Sequence, residues 1–99
     1  MTVQMHVIEN GLAIGGELDM AAVDDFRQFA SMVLDGKQEV VLDIADLAFI
    51  DTSGINAILR LTETICPHGV VLRSPRNNVQ RALEILGVEQ IRGVRVERR

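Results

Sequence analysis

Residues 40–65 read VVLDIADLAFIDTSGINAILRLTETI, and a strand pattern gives way to a helix pattern within this stretch. Residues 40–44 form an apolar run of the length typical of a buried strand. Downstream, side chains recur at the i, i+3, i+4, i+7 spacing of an amphipathic helix, namely Ile55, Ile58, Leu59, Thr62 and Ile65. The stretch therefore predicts a strand, a loop and a helix over residues 53–65.

The loop before this helix carries the sequence Asp51-Thr52-Ser53-Gly54. Either Asp51 or Thr52 is expected to cap the helix, because an Asp or Thr oxygen can accept a hydrogen bond from a backbone N–H of the first turn. Ser53 then lies in the first turn, where no helical carbonyl stands four residues behind it, so its hydroxyl can point outward. The positive end of a helix favours a phosphate. An ordinary helix cap is the competing interpretation of the same pattern.

The rest of the chain continues the alternation of strands and helices. We predict strands at residues 3–8, 12–15, 39–44, 70–72 and 91–96, helices at 20–34 and 53–65, and a third helix that ends before Gly87. Asn10-Gly11 predicts a hairpin between the first two strands. Asp19 is a candidate N-cap of the first helix, and Asn77 or Asn78 of the third.

The predicted order is ββαβαβαβ, within a single α/β domain over residues 1–99. Strands that alternate with helices pair in parallel through right-handed crossovers, and the opening hairpin adds an antiparallel component. In the last strand Val94 and Val96 alternate with Arg95 and Glu97, which indicates an edge strand with one solvated face. The prediction is a mixed sheet of about five strands packed with three helices.

Composition excludes several functional classes. The 99 residues are 47% hydrophobic and 24% charged, which is typical of a globular protein and argues against disorder. Aromatic residues make up only 3%, and the formal net charge is −4, so the chain lacks the stacking side chains and basic excess of a nucleic-acid binder. No apolar stretch approaches 18 residues, and the N-terminus does not resemble a signal peptide. We therefore expect a soluble, cytoplasmic protein without membrane insertion.

The sequence offers no complete catalytic site. His6 and His68 are far from Ser53 along the chain, and the glycine motifs of hydrolases and nucleotide-binding loops are absent. Asp43, Asp46 and Asp51 could be read as a magnesium cluster, but a strand-end acid, a loop acid and a cap account for them equally well. A single cysteine, Cys66, excludes an internal disulfide and is expected to be a half-buried apolar residue. We expect no enzyme activity, no metal site and no cofactor.

Several segments together resemble the STAS domain, in particular the bacterial anti-sigma factor antagonists. The matching segments are Gly16-Glu17-Leu18-Asp19, Val40-Val41-Leu42-Asp43, Phe49-Ile50-Asp51-Thr52-Ser53-Gly54, and Ser74-Pro75 followed by Val79, Arg81, Leu83 and Leu86-Gly87. They span nearly the whole chain in the order and spacing of the family. The Asp-Thr-Ser-Gly loop together with the upstream Gly-Glu-Leu-Asp segment is the most specific part of the match.

The resemblance implies a partner-switching role. In such antagonists the serine immediately before the glycine is phosphorylated by an anti-sigma factor that is also a serine kinase, and this serine corresponds to Ser53. Asp51, Thr52 and Gly54 would shape the partner-binding loop, and Asp19 would lie beside it. The unphosphorylated protein would bind the anti-sigma factor, phosphorylation would release it, and a phosphatase would reverse the change. Thr52, which stands where the family often has serine, is an alternative phosphorylation site.

Two further alternatives follow from the same residues. Family members commonly continue from the last strand into another helix, which is missing in this chain and could leave a face open to a partner or a second copy. A STAS subunit of a membrane transporter or a multi-domain signalling complex, without phosphorylation, is therefore the main rival within the family. A small enzyme or nucleotide-binding protein that uses Asp51 and Ser53 is the rival from another class. The resemblance leaves self-association open.

Overall fold

The computed structural model describes residues 3–36, 39–64 and 69–98. The strands in this part of the chain are β1 (Val3–Ile8), β2 (Gly11–Leu18), β3 (Val40–Asp43), β4 (Leu47–Ile50), β5 (Val70–Arg73) and β6 (Val94–Glu97). The helices are α1 (Val23–Leu34), α2 (Thr52–Thr64) and α3 (Asn77–Ile85), and a short 3-10 helix spans Val88–Gln90. The predicted class, a mixed sheet packed with three helices, is confirmed, and the sheet has one strand more than expected.

The opening hairpin forms where the sequence predicts it. β1 and β2 pair antiparallel, with Ile8 opposite Gly11 at the turn. Asn10 has a φ of 63°, a left-handed conformation that asparagine tolerates better than most residues.

The sheet has the order β1-β2-β3-β5-β6, and every pair after the hairpin is parallel. Each helical crossover moves the chain in the same direction along the sheet, so right-handed connections place the helices on one face. Helix residues such as Phe26, Ile58 and Leu83 accordingly share one hydrophobic core with Leu42 and Leu72 of the central strands. On the opposite face the strand register aligns a row of residues, namely His6, Ala13, Asp43, Arg73 and Glu97.

The strand that the sequence did not predict is β4. After β3 the chain bends, and the Asp46 carbonyl accepts a hydrogen bond from the N–H of Gly16 at 3.1 Å. β4 then pairs in parallel with the end of β2, with Leu47 opposite Gly16 and Ile50 opposite Leu18, and the register shifts between Gly16 and Glu17. Its four residues are buried, exposed, exposed and buried, so they lack the period-two alternation that marks a strand in sequence. The same pairing extends β2 to Leu18, three residues past its predicted end.

The first helix begins later than predicted, and Asp19 is not its N-cap. α1 begins at Val23, and its N-cap position is Ala22. Both the carboxylate Oδ1 and the backbone carbonyl of Asp19 accept a hydrogen bond from the N–H of Ala22, at 3.1 and 3.0 Å. The Asp19 carboxylate therefore closes a turn that precedes the helix.

The third helix is capped differently from the prediction. Its N-cap position is Arg76, in extended conformation, and neither Asn77 nor Asn78 takes that role. The Asn78 side chain instead donates a hydrogen bond to the Ala48 carbonyl of β4 at 2.7 Å. The Asn78 side chain thus bonds to a distant strand and does not cap its own helix.

The end of α3 agrees with the prediction at Gly87 but not at Leu86. Gly87 follows the helix with a left-handed φ of 67°. The spacing of Val79, Ala82, Leu83 and Leu86 predicts one buried stripe on this helix. Val79 and Leu83 are buried and Ala82 is half-buried, whereas Leu86 is 47% exposed. α3 ends at Ile85 and Leu86 is its C-cap residue: its N–H still donates to the Ala82 carbonyl at 3.2 Å, but its side chain is left exposed at the end of the helix.

The last strand begins at Val94, three residues later than predicted, because the chain turns over residues 91–93, where the N–H of Val94 donates to the Ile91 carbonyl at 3.1 Å. Val94 is buried, whereas Arg95 and Glu97 are exposed, and β6 pairs with β5 at the end of the strand order. The predicted edge strand is confirmed. The predicted end of the second helix at Ile65, and the residues Cys66 and His68, lie outside the described residues.

Phe26 should contribute far more to stability than Phe49, although both are phenylalanines. Phe26 is 0% exposed inside the core, and Phe49 is 45% exposed on β4. Phe26→Ala should lower the free energy of unfolding by roughly 3–5 kcal/mol, through lost apolar burial and a residual cavity. Urea unfolding followed by circular dichroism measures this loss.

Phe49→Ala is the matched control, since it deletes the same atoms from a partly solvated position. Its cost should remain well below that of Phe26→Ala. Equal losses for the two variants would contradict the placement of Phe26 in the core and Phe49 outside it.

Candidate functional site

The carboxyl ends of β2 and β4 meet at one edge of the sheet. Leu18 pairs with Ile50 in the parallel register, and the N–H of Asp51 donates to the Leu18 carbonyl at 3.4 Å. Asp19 and Asp51 each follow this pair by one residue, so the two acids emerge from adjacent strands at the same edge. The structure thus brings Asp19 to the loop that contains Ser53, as the family resemblance implied.

Asp51 caps α2, which resolves the predicted choice between Asp51 and Thr52. Its Oδ1 accepts a hydrogen bond from the N–H of Gly54 at 3.0 Å, and its carbonyl accepts one from the N–H of Ile55 at 3.0 Å. Thr52 is the first residue of α2 and is exposed. The carboxylate of Asp51 is therefore committed to holding the start of the helix.

Gly54 allows the first turn of α2 to lie directly against β2. A Cβ at this position would overlap the Leu18 carbonyl oxygen and would lie 2.9 Å from Cγ1 of Ile50. Gly54 is buried, and its helical conformation requires no positive φ. The glycine is thus needed for a close approach of two backbones, which fixes the position of the residue before it.

Ser53 is the second residue of α2 and is half-buried. Within residues 3–36, 39–64 and 69–98, no hydrogen bond engages the Ser53 hydroxyl. By position, the N–H groups at this end of the helix have no intrahelical carbonyl to bind. The hydroxyl therefore lies at the positive end of a rigid helix without a role in holding the loop together.

Two exposed apolar side chains flank this loop, and no sequence pattern predicted either of them as a site residue. Met20 follows Asp19 and is 77% exposed. Phe49, two residues before Asp51, is 45% exposed and is paired with Glu17 in the sheet register. Exposed large apolar side chains beside a candidate site are typical of an interaction surface. Only the placement of β4, which the sequence did not reveal, brings Phe49 to this edge.

The other edge of β4 is held by side chains from the start of α3. Arg76 Nε donates to the Ala45 carbonyl at 3.0 Å, and Asn78 Nδ2 donates to the Ala48 carbonyl at 2.7 Å. β5 ends at Arg73 and does not continue beside β4. These side chains take the place of a neighbouring strand and steady the segment that leads into Asp51.

The acids considered for magnesium do not come together as a site. Asp43 Oδ2 accepts a hydrogen bond from Arg73 Nη2 at 3.0 Å, and Asp51 caps α2. Asp46 is exposed in the turn before β4. Among the described residues there is no group of three or more His, Cys, Asp or Glu side chains placed to hold a metal ion. No helix in that part of the chain is long and apolar enough to cross a membrane.

The sheet order, the three helices on one face and the serine loop at the sheet edge match a known domain family. A family model described as "Mlab, STAS domain" matches residues 1–95. The chain belongs to the STAS domain family. A comparison with curated proteins found no match.

Solved structures of proteins named as anti-sigma factor antagonists share this fold. A proposed anti-sigma factor antagonist from Thermotoga maritima has a TM-score of 0.79 at 17% identity, with 98% of this chain and 86% of that chain covered. The anti-sigma factor antagonist SpoIIAA in its unphosphorylated form has a TM-score of 0.69 at 19% identity, with 95% and 86% covered. At these identities the likeness establishes the fold.

A transporter also contains a similar domain. The murine solute carrier 26 family member A9, an anion transporter, has a TM-score of 0.63 at 23% identity, with 93% of this chain but only 17% of that chain covered. The STAS fold of this chain therefore occurs both in separate antagonists and as a part of a much larger protein.

Gly54→Ala should destabilise the protein even though alanine is the better helix former. The new Cβ would press on the Leu18 carbonyl and Ile50, and such overpacking should lower the free energy of unfolding by about 2 kcal/mol. Urea unfolding measures the change.

Gly15→Ala provides the matched control. A Cβ at this position would lie 3.4 Å from its nearest neighbours, the Cβ and the carbonyl oxygen of Asp46, which is an ordinary van der Waals contact. It should leave the stability nearly unchanged. An unaltered unfolding curve for Gly54→Ala would contradict the close contact between α2 and β2.

Proposed function

We propose that this chain is an anti-sigma factor antagonist that works by partner switching. With Ser53 unphosphorylated it binds an anti-sigma factor that is also a serine kinase, and so frees the sigma factor. Phosphorylation of Ser53 releases the antagonist, and a phosphatase restores it. Because the kinase uses ATP and the sigma factor serves RNA polymerase, the exchange takes place in the cytoplasm. The STAS family assignment and the fold shared with proteins named as antagonists support this proposal.

The single observation that carries the proposal is the placement of Ser53. It is half-buried on the first turn of α2, and Asp51 and Gly54 hold the loop around it. Its own hydroxyl takes no part in the hydrogen bonds of the described residues. A modification of this oxygen therefore changes the surface without removing a contact that the fold requires.

The folded protein can accommodate a phosphate at this position. Phosphoserine adds nearly two negative charges at neutral pH. The positive end of α2 offsets this charge by about 1 kcal/mol at a partly exposed site. The nearby carboxylates of Asp19 and Asp51 repel the phosphate. Its free energy is therefore lower when it is exposed to water than when a docked protein covers it.

A partner bound over Ser53 would have to desolvate that phosphate. The flanking Met20 and Phe49 offer apolar contact to a partner, and an apolar surface cannot satisfy the phosphate oxygens. Each carboxylate that the partner brings near adds repulsion: at ~5 Å and an effective dielectric constant of ~20, one unit pair costs roughly 3 kcal/mol. That energy corresponds to a more than hundredfold loss of affinity.

Ser53 ranks above Thr52 as the phosphorylated residue. Thr52 is the more exposed of the two and its hydroxyl is accessible at the start of α2. The serine immediately before the glycine is nevertheless the residue that matches the modified position of the antagonists. Asp19, Asp51, Thr52 and Gly54 belong to the proposed contact surface around it.

A second candidate is a STAS subunit that docks to a membrane transporter or a multi-domain assembly without phosphorylation. The fold shared with the domain of the murine anion transporter favours it. In that case the loop around Ser53 is a permanent contact surface. The kinase assay described next separates the two candidates.

Incubation with ATP and the serine kinase-type anti-sigma factor encoded in the same genome should add one phosphoryl group to the wild-type chain. Intact-mass spectrometry measures the addition, and peptide mapping should place it on Ser53. Ser53→Ala should abolish it, whereas Thr52→Ala should leave it. Absence of phosphorylation together with stable binding to a transporter subunit would favour the second candidate instead.

Ser53→Asp should weaken binding of the anti-sigma factor by about a hundredfold, because it places a permanent negative charge at the proposed contact. Thermal unfolding should show that the variant remains folded. Isothermal titration calorimetry with Ser53→Asn as the uncharged control of nearly equal size isolates the effect of the charge. A folded Ser53→Asp variant with the affinity of the wild type would contradict the proposal.

A further inference from the structure

A groove between α1 and α2 begins close to the serine loop. It encloses about 210 Å³, and its lining residues are Arg27, Ser31, Ala57, Arg60, Leu61 and Thr64. We call it the α1–α2 groove. Ala57, one helical turn beyond Ser53 on α2, is buried at the base of the groove, and the exposed lining residues are Arg60 and Thr64 of α2 and Arg27 and Ser31 of α1. Both helices start from the carboxyl ends of parallel strands and therefore run in the same direction along it.

Two arginines give the groove its charge. Arg60 is exposed, and within the described ranges no carboxylate forms an ion pair with it. Arg27 is paired with Asp24 at 3.8 Å, one turn back on α1, and both side chains are more than half exposed. Such a long, solvated pair holds Arg27 only weakly. Two guanidinium groups, one from each helix, are therefore available to an incoming anion.

The charge along this surface changes sign. Asp19, Asp24, Asp25 and Asp51 lie at the end where the helices begin. Arg60 lies seven residues beyond Ser53, about 10 Å along the helix at 1.5 Å per residue. A partner's carboxylates are repelled at the serine end and attracted at the arginine end. The surface can thus orient a partner as well as bind it.

An exposed methionine borders the arginine end. Met32 is 78% exposed and shares a second, shallower depression with Arg27, Gln28 and Ser31. Methionine fits irregular apolar surfaces because its side chain is flexible and polarizable. The combination of apolar contact with two guanidinium groups suits an amphipathic element that carries acidic side chains.

We propose that the α1–α2 groove receives an acidic amphipathic helix of the anti-sigma partner, whose carboxylates bind Arg27 and Arg60. Guanidinium groups bind carboxylates through paired, directional hydrogen bonds, so the contact fixes the register of the partner helix along the groove. This inference rests on the proposed function and adds the second half of its docking surface. The serine end decides whether binding occurs, and the arginine end decides which partner binds.

Calorimetric titration of the full chain with the purified anti-sigma factor tests the inference. Arg27→Glu and Arg60→Glu should each raise Kd about tenfold, because each replaces a carboxylate-binding group with a repelling one, and Kd of the variants should depend less on salt than that of the wild type. Arg81→Glu makes the same charge change on the exposed surface of α3 and should alter Kd less than twofold. Because Arg27→Glu adds an acid beside Asp24, Arg27→Gln and a thermal unfolding curve control for the stability of α1.

The outcomes separate the inference from the proposed function. If the wild type binds and the two Arg→Glu variants bind as well as Arg81→Glu, the groove is not the site, while the proposed function stands. If the wild type does not bind the anti-sigma factor, both proposals fall. Sedimentation that shows wild-type dimers and monomeric Arg60→Glu would assign the groove to a second copy and overturn the inference.

Discussion

The contact between the first turn of α2 and the end of β2 is the constraint on which the rest of the site depends. It exists because Gly54 has no side chain, so the helix backbone can lie against the Leu18 carbonyl. The parallel pairing of Leu18 with Ile50 fixes the other side of the loop, because it holds the end of β4 beside the end of β2. The position of Ser53 is therefore set by main-chain atoms on either side of it. A chemical change at the Ser53 hydroxyl would therefore leave the backbone position of this residue unchanged.

Features that depend on neighbours in sequence were predictable, and those that depend on distant segments were not. The hairpin at Asn10-Gly11 and the Asp51 cap follow from the conformational preferences of a few adjacent residues, and both are present. Strand β4 is stabilised by pairing with β2, some thirty residues earlier, and has no alternating pattern of its own. Asp19 has a favourable capping residue type, but its carboxylate is used one turn before the helix.

The same distinction between local and distant neighbours applies to the residues of the candidate site. The serine loop was recognisable because its residues are contiguous and match a family motif. Phe49 joins the site only because β4 forms, and Arg27 faces Arg60 only because two crossovers of the same hand place α1 beside α2. Side chains that are 33 residues apart in the numbering cannot be recognised as neighbours from a single sequence. The placement of the two arginines thus depends on the topology of the sheet, whereas the serine loop follows from a short motif.

The edge strand β6 affects the tendency of the protein to aggregate at high concentration. Among the described residues β6 pairs only with β5, and Arg95 lies 3.8 Å from Glu39 and 3.3 Å from Glu97. An added strand from another molecule would have to displace these ions or bury them without water, and charged edge strands resist such pairing for this reason. The charged side chains of β6 therefore work against fibril-like stacking at this edge of the sheet.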